Sequence, residues 1–177
     1  MDNPQERSLA WLAGIIEGEG SISVQVYTLP TSRVRLTPYV SIINTDRAIL
    51  NECERILKQL LRGERAQPRY CNHARTQHKA SFEGRKVCYA LRVDGVACRA
   101  ILKALLLFMV GEKRKNAKVV LRYIESRTKS LLIRDKLGRI RRASYTRSEI
   151  DLISSIRSHT AAKSSETICR APNVIAG

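Results

Sequence analysis

Acidic side chains are in short supply: sixteen Asp and Glu stand against thirty-two Lys and Arg, leaving a formal charge of +16 over 177 residues. Such a balance suits a polyanionic partner. Long apolar runs are missing too. The longest, AILKALLLFMVG, is interrupted by Lys103 and falls short of the ~18 apolar residues a membrane span requires, so no membrane partner is expected. The opening MDNPQERSLAW carries acids before its apolar run and neither a basic leader nor a cleavage site, which predicts an intracellular protein that is not secreted. Five cysteines, at 53, 71, 88, 98 and 169, are odd in number and lack paired spacing, the pattern of reduced thiols and not of a disulfide framework. Cys71, His73 and His78 have no CxxC partner, as a structural zinc site would need.

What is present is a hydrophobic fraction of 44%, ordinary for a folded protein, with basic residues spread along the whole chain instead of gathered in one tail. The length suits one core and one principal domain. SLAWLAGII (8–16) reads as an apolar helix. SISVQVY (21–27) then alternates, with Ile22, Val24 and Val26 on one face, and RVRLTPYVSII (33–43) does the same with Val34, Leu36, Val40 and Ile42. The pair predicts a hairpin through TLPTS. Asp46 caps a helix running to about Leu61, closed by Gly63. Strand-like pieces follow at ERAQPRYCNHAR, near HKASF, and at KVCYALRV; Gly95 turns the chain into ACRAILKALLLFMV, and Gly111 precedes a further helix, EKRKNAKVVLRYIESR.

The order is αββαββα with an additional helix, an α+β fold. Beyond residue 128 the basic stretch KSLLIRDKLGRIRRASY reads as a loose hairpin, with Arg134 to Arg142 as a clamp on a backbone of phosphates. Thr146 and Glu149 form a capping box for a last helix to about Ser158. The expected organisation is a core over 1–128, a basic segment and C-terminal helix packed on it over 129–160, and a weakly ordered tail over 161–177.

One stretch resists a purely structural reading. LAGIIEGEG (12–20) ends a helix with two carboxylates, Glu17 and Glu19, where the negative end of the helix dipole disfavours anions. Ala10, Gly14 and Gly18 recur every four residues, a stripe along which another backbone can approach closely. Two helices crossing on that stripe would bring two Glu19 side chains together, and a hard divalent cation would relieve their repulsion. The stretch resembles the signature of the LAGLIDADG homing endonucleases at Leu12, Ala13, Gly14, Ile16 and Gly20, with Glu17 and Glu19 where the signature has aspartates, and the surrounding order of elements over about residues 8–127 is similar to that family's.

That resemblance implies a saddle-shaped antiparallel sheet over DNA, and Glu19 as the principal ligand of Mg²⁺ or another divalent cation, assisted by the carbonyl of Gly20. It implies a water-ordering role for Asn44, with Thr45 as the alternative register, and a catalytic role for Lys113 in the segment GEKRKNAKVVL. Asn44 with Asp46 can equally form an Asx-turn and helix cap, and the alternative for Lys113 is a basic helix start that simply faces solvent. Glu17 is left between a hydrogen-bonding and a ligand role. A single signature implies a homodimer through Ala10, Gly14 and Gly18, acting on a long, partly palindromic double-stranded DNA site.

The outward strand residues Gln25, Tyr27, Arg33, Arg35, Thr37 and Tyr39 are then expected to read base edges, with Arg69, His73, Arg75, Lys79, Lys86 and Arg92 extending the footprint partly onto phosphates. The family's range leaves two other functions open, an intron maturase that binds its own intron RNA and a non-catalytic DNA-binding regulator.

Overall fold

A computed structural model of the chain describes residues 3–28, 34–64, 67–71, 88–129, 133–134, 140–141 and 144–157. Its first helix, α1 (Pro4–Glu19), starts a turn earlier than the apolar periodicity suggests. Pro4 occupies the first helical turn, where a missing N–H costs nothing, and the Asn3 side chain accepts from Gln5 N at 3.0 Å. Only the later part of the helix faces the core, through Leu12, Ala13 and Ile16, so the hydrophobic pattern begins after the helix does.

Strands β1 (Gly20–Thr28) and β2 (Val34–Asn44) pair antiparallel, with Gly20 opposite Ile42 and Tyr27 opposite Arg35. The expected TLPTS turn between them lies mostly outside the described residues. Helix α2 (Arg47–Leu60) is capped by Asp46, whose side chain accepts from Ala48 N, and Gly63 follows at φ 90°. Strands β3 (Arg69–Cys71) and β4 (Tyr89–Asp94) complete a four-stranded antiparallel sheet in the order β1-β2-β4-β3. Any strand near HKASF falls outside the described residues.

A short 3-10 turn over Gly95–Ala97 leads into α3 (Cys98–Leu105) and then α4 (Gly111–Lys129). Ile22, Val24, Leu36, Val40, Ile42, Leu91 and Val93 form the buried sheet face, packed against Leu12, Ile16, Leu50, Leu57, Ile101, Leu105, Ala117 and Ile124 of the helices. This is the mixed helix and antiparallel-sheet architecture the element order predicts.

β4 covers β2 only from Tyr39 to Asn44, so among the described residues the backbone of Leu36 has no strand partner on that side. Two tyrosines supply one. Tyr145 Oη accepts from Leu36 N at 2.9 Å, and Tyr123 Oη donates to Leu36 O at 3.1 Å, which satisfies buried groups that would otherwise be orphaned. Burial pushes the Tyr123 hydroxyl above its ordinary pKa.

β5 (Ile133–Arg134) and β6 (Ile140–Arg141) form a two-stranded ribbon within the basic segment. Helix α5 (Arg147–Arg157) opens on the capping box: Thr146 N donates to Glu149 Oε2 at 2.9 Å, and Glu149 N to Thr146 Oγ1 at 3.2 Å. The buried Glu149 also accepts from Ser126 Oγ of α4 at 2.9 Å, so the cap fastens α5 to the core. Residues 161–177, expected as a weakly ordered tail, lie outside the described residues. Among those described, no helix is long and apolar enough to cross a membrane.

Candidate active site

Glu19 is the last residue of α1 and Gly20 is already the first of β1, so helix and strand meet without a loop. Gly20 makes the joint possible. Its N–H donates to Ile16 O, and a Cβ placed on it would stand 2.7 Å from that oxygen and 2.8 Å from Ile16 Cα. Backbone cannot yield as a side-chain tip can. Gly20→Ala should therefore shift the Glu19 backbone and cost about 1–3 kcal/mol of stability, measured by denaturant unfolding.

This helix end is tied to the start of α4 and the turn before it. Lys113 Nζ donates to Ile16 O at 2.8 Å, an oxygen that also accepts from Gly20 N–H, and to Glu17 O at 2.6 Å, one of the C-terminal carbonyls a helix leaves over. Glu17 Oε1 accepts from Val110 N at 2.9 Å, immediately before Gly111, whose φ of 64° turns the chain into α4. Burial lowers the pKa of Lys113, while the nearby Glu17 and Glu19 carboxylates act in the opposite direction. Two of the three N–H groups of this ammonium are engaged, and one is left for a further acceptor.

Glu19 stands apart from this arrangement. It is exposed, and among the described residues its carboxylate has no hydrogen-bond or ion-pair partner. Those residues contain no cluster of three or more His, Cys, Asp or Glu able to enclose a metal. One unengaged carboxylate at the negative end of a helix still fits a hard cation, provided the remaining oxygens come from outside the chain. Mg²⁺ is commonly held by one or two carboxylates plus phosphate oxygens and water.

Asn44 closes β2 two residues beyond the pair Gly20 and Ile42. Its Oδ1 accepts from Asp46 N at 2.8 Å, the Asx-turn that leads into the Asp46 cap. Its amide nitrogen has no partner among the described residues. Thr45, the alternative register, is exposed.

The outer face of the sheet carries Gln25, Tyr27, Arg35, Thr37, Tyr39, Arg69 and Arg92, opposite the buried aliphatics. Arg33, His73, Arg75, Lys79 and Lys86 lie outside the described residues. Several of these side chains are bonded to one another. Arg92 lies over the Tyr39 ring with its guanidinium carbon 4.1 Å from the centroid, donates from Nε to Asp94 Oδ1 at 2.6 Å, and from Nη2 to Gln25 Oε1 at 2.6 Å. Arg69 pairs with the other oxygen of Asp94, and Tyr27 Oη donates to Gln25 Oε1 at 2.6 Å.

On the far side of α1, Ala10, Gly14 and Gly18 are exposed, and a Cβ built on either glycine would meet nothing within 4 Å. Trp11 beside them is 39% exposed. Among the described residues the two glycines have no steric reason to be glycine.

No family model and no curated protein matches the chain. Solved structures do. The archaeal intron-encoded homing endonuclease I-Vdi141I, complexed with DNA, superposes with a TM-score of 0.61 at 19% identity, over 89% of this chain and 87% of that one. The LAGLIDADG homing endonuclease I-GzeII, in complex with its DNA target, gives 0.60 at 13% identity over 96% of this chain and 50% of that one. The homing endonuclease I-CvuI gives 0.52 at 19% identity over 86% and 96%. This chain has the LAGLIDADG homing endonuclease fold.

The stretch LAGIIEGEG is the second half of α1 and its junction with β1. Two residues of the neighbourhood escaped sequence reasoning: Val110, which contributes only a backbone N–H, and Asp94, which holds two arginines at once. Gly111 marked the first only as a helix start. Nothing in the local sequence singled out the second.

Proposed function

We propose that this chain is a site-specific DNA endonuclease that works as a homodimer and hydrolyses both strands of a long, partly palindromic duplex with the help of a divalent cation. The observation that carries the reading is Glu19: a carboxylate that is exposed and has no hydrogen-bond or ion-pair partner among the described residues, at a helix end whose Ile16 and Glu17 carbonyls are held by Lys113, beside a sheet with a basic outer face. The structures of I-Vdi141I and I-GzeII are DNA complexes, and those of I-CvuI contain DNA with Mg or Ca, which supports DNA and a divalent ion as partners here.

Glu19, assisted by the Gly20 carbonyl, would hold the cation. When bound, Mg²⁺ supplies charge stabilisation to the scissile phosphate and its leaving oxygen. Lys113 fixes the end of α1 through the Ile16 and Glu17 carbonyls and turns its remaining N–H toward the phosphate or the attacking water. Asn44, with its oxygen occupied in the Asx-turn, offers its amide N–H groups to that water. Glu17 is the tether between α1 and the turn before α4, not a ligand.

The exposed stripe of Ala10, Gly14 and Gly18 supports pairing of two chains. I-GzeII, of which this chain spans half the length, has room for two such units. Residues 1–128 form the unit that pairs, 129–160 the basic addition to it, and 161–177 a tail.

Lys113→Met should lower the single-turnover rate of strand scission by about 10²-fold or more, leave sequence preference unchanged, and cost about 1–3 kcal/mol of stability through the loss of its two bonds to the end of α1, which leaves the Glu17 carbonyl without its ammonium partner. A change in affinity alone would make Lys113 a phosphate contact. The proposed function as a whole is tested by selection from a random duplex pool. One long site with partial dyad symmetry should be enriched, and enrichment of structured RNA in preference to any duplex would overturn the proposal.

A further inference from the structure

Gln25 is the junction of the outer-face network, and its bonding determines what it can recognise. An amide offers an oxygen with two acceptor sites and a nitrogen with two donors. Arg92 carries donors only, so the Gln25 atom it meets at 2.6 Å has to be the oxygen. Tyr27 Oη donates to the same oxygen at 2.6 Å. Both acceptor sites are filled from within the protein.

The Arg92 donor is not free to drift. Arg92 is held by Asp94 at Nε and by the Tyr39 ring beneath it, and Asp94 is held in turn by Arg69. The side chains come from all four strands, so the orientation of the Gln25 amide is set by the register of the sheet. Among the described residues its Nε2 has no partner.

We propose that Gln25 is a specificity-determining residue that acts only as a donor, selecting a base with acceptors on its major-groove edge and rejecting cytosine. This rests on the DNA-binding function proposed above. A glutamine free in both atoms pairs with adenine, accepting from N6 and donating to N7; guanine presents two acceptors, thymine one, and cytosine only a donor. With its oxygen saturated, Gln25 loses the adenine pairing and favours guanine or thymine. Arg92 is then a positioning residue, and Asp94 a second one behind it.

The test is selection of bound duplexes from a sequence-randomised pool by the full chain in EDTA, so that no strand is cut, repeated with Gln25→Glu and Tyr27→Phe. The wild-type chain should disfavour cytosine at one position in each half-site. Gln25→Glu, which keeps oxygens for Arg92 and Tyr27 but presents an acceptor outward, should reverse that position alone to cytosine, by about tenfold in relative affinity. Tyr27→Phe frees one acceptor site and should admit adenine there. Unchanged profiles in both variants with binding intact would overturn the proposal, as would a wild-type preference for adenine or cytosine at the position Gln25→Glu alters. If the wild-type chain enriches no sequence, the DNA function itself fails and this proposal with it; that result is read before either variant is made.

Discussion

Glu19→Gln is expected to abolish cleavage while leaving the fold and DNA binding intact. Glu19 is exposed and bonded to nothing among the described residues, so its neutralisation should change stability by no more than about 0.5 kcal/mol. What it removes is the charge that would hold a cation against the scissile phosphate. Loss of such a stabilising group is worth roughly 10²–10³ in rate or more. Binding should be unchanged or slightly tighter, since one negative charge beside the phosphates is gone. Glu17→Gln is the matched control: its amide oxygen can still accept from Val110 N–H, so the tether survives and cutting should continue. Single-turnover cleavage alongside a binding titration separates the two variants. Equal loss of cleavage in both, with folding intact, would mean that the two acids share the ligand role.

Gly14→Leu should have opposite effects on the single chain and on the assembly. A Cβ at position 14 meets nothing within 4 Å among the described residues, and glycine inside a helix costs about 1 kcal/mol relative to a good helix former. The isolated chain should thus become more stable by up to about that amount. Two α1 helices packed on the stripe could no longer approach, so the dimer and all double-strand cleavage should be lost. Sedimentation with and without DNA, together with thermal unfolding, reads both effects. A Gly14→Leu chain that still dimerises and cuts both strands would show that α1 is not the interface.

Much of this molecule is legible in its sequence, for physical reasons. Period-two alternation located β1, β2 and β4, because one face of each is buried against helices and the other is not. Side-chain caps at Asp46 and Thr146 are local and were readable as such. The start of α1 was not, since its first turn buries nothing and only Asn3 and Pro4 mark it. Asn44 was left between two roles by sequence; its oxygen belongs to the Asx-turn, and any water-ordering role falls to its nitrogen.

The site is legible in its residues but not in their bonds. Glu17 could be named from its place at a helix end and Lys113 from the family resemblance, yet each bonds to backbone more than ninety residues away, and backbone groups leave no trace in residue identity. Arg92 and Arg69 read singly as free contacts to DNA. Only the register, with Arg69 opposite Arg92 and Tyr39 opposite Asp94, shows that one carboxylate holds both.

The most direct measurement is end-mapping of the selected duplex after incubation with purified protein, in Mg²⁺ and in EDTA. Both strands should be cut at fixed phosphates close to the dyad, in Mg²⁺ only, because the paired Glu19 residues would stand at the centre of the assembly. A duplex bound specifically but left intact in Mg²⁺, or cut equally in EDTA, would contradict the account.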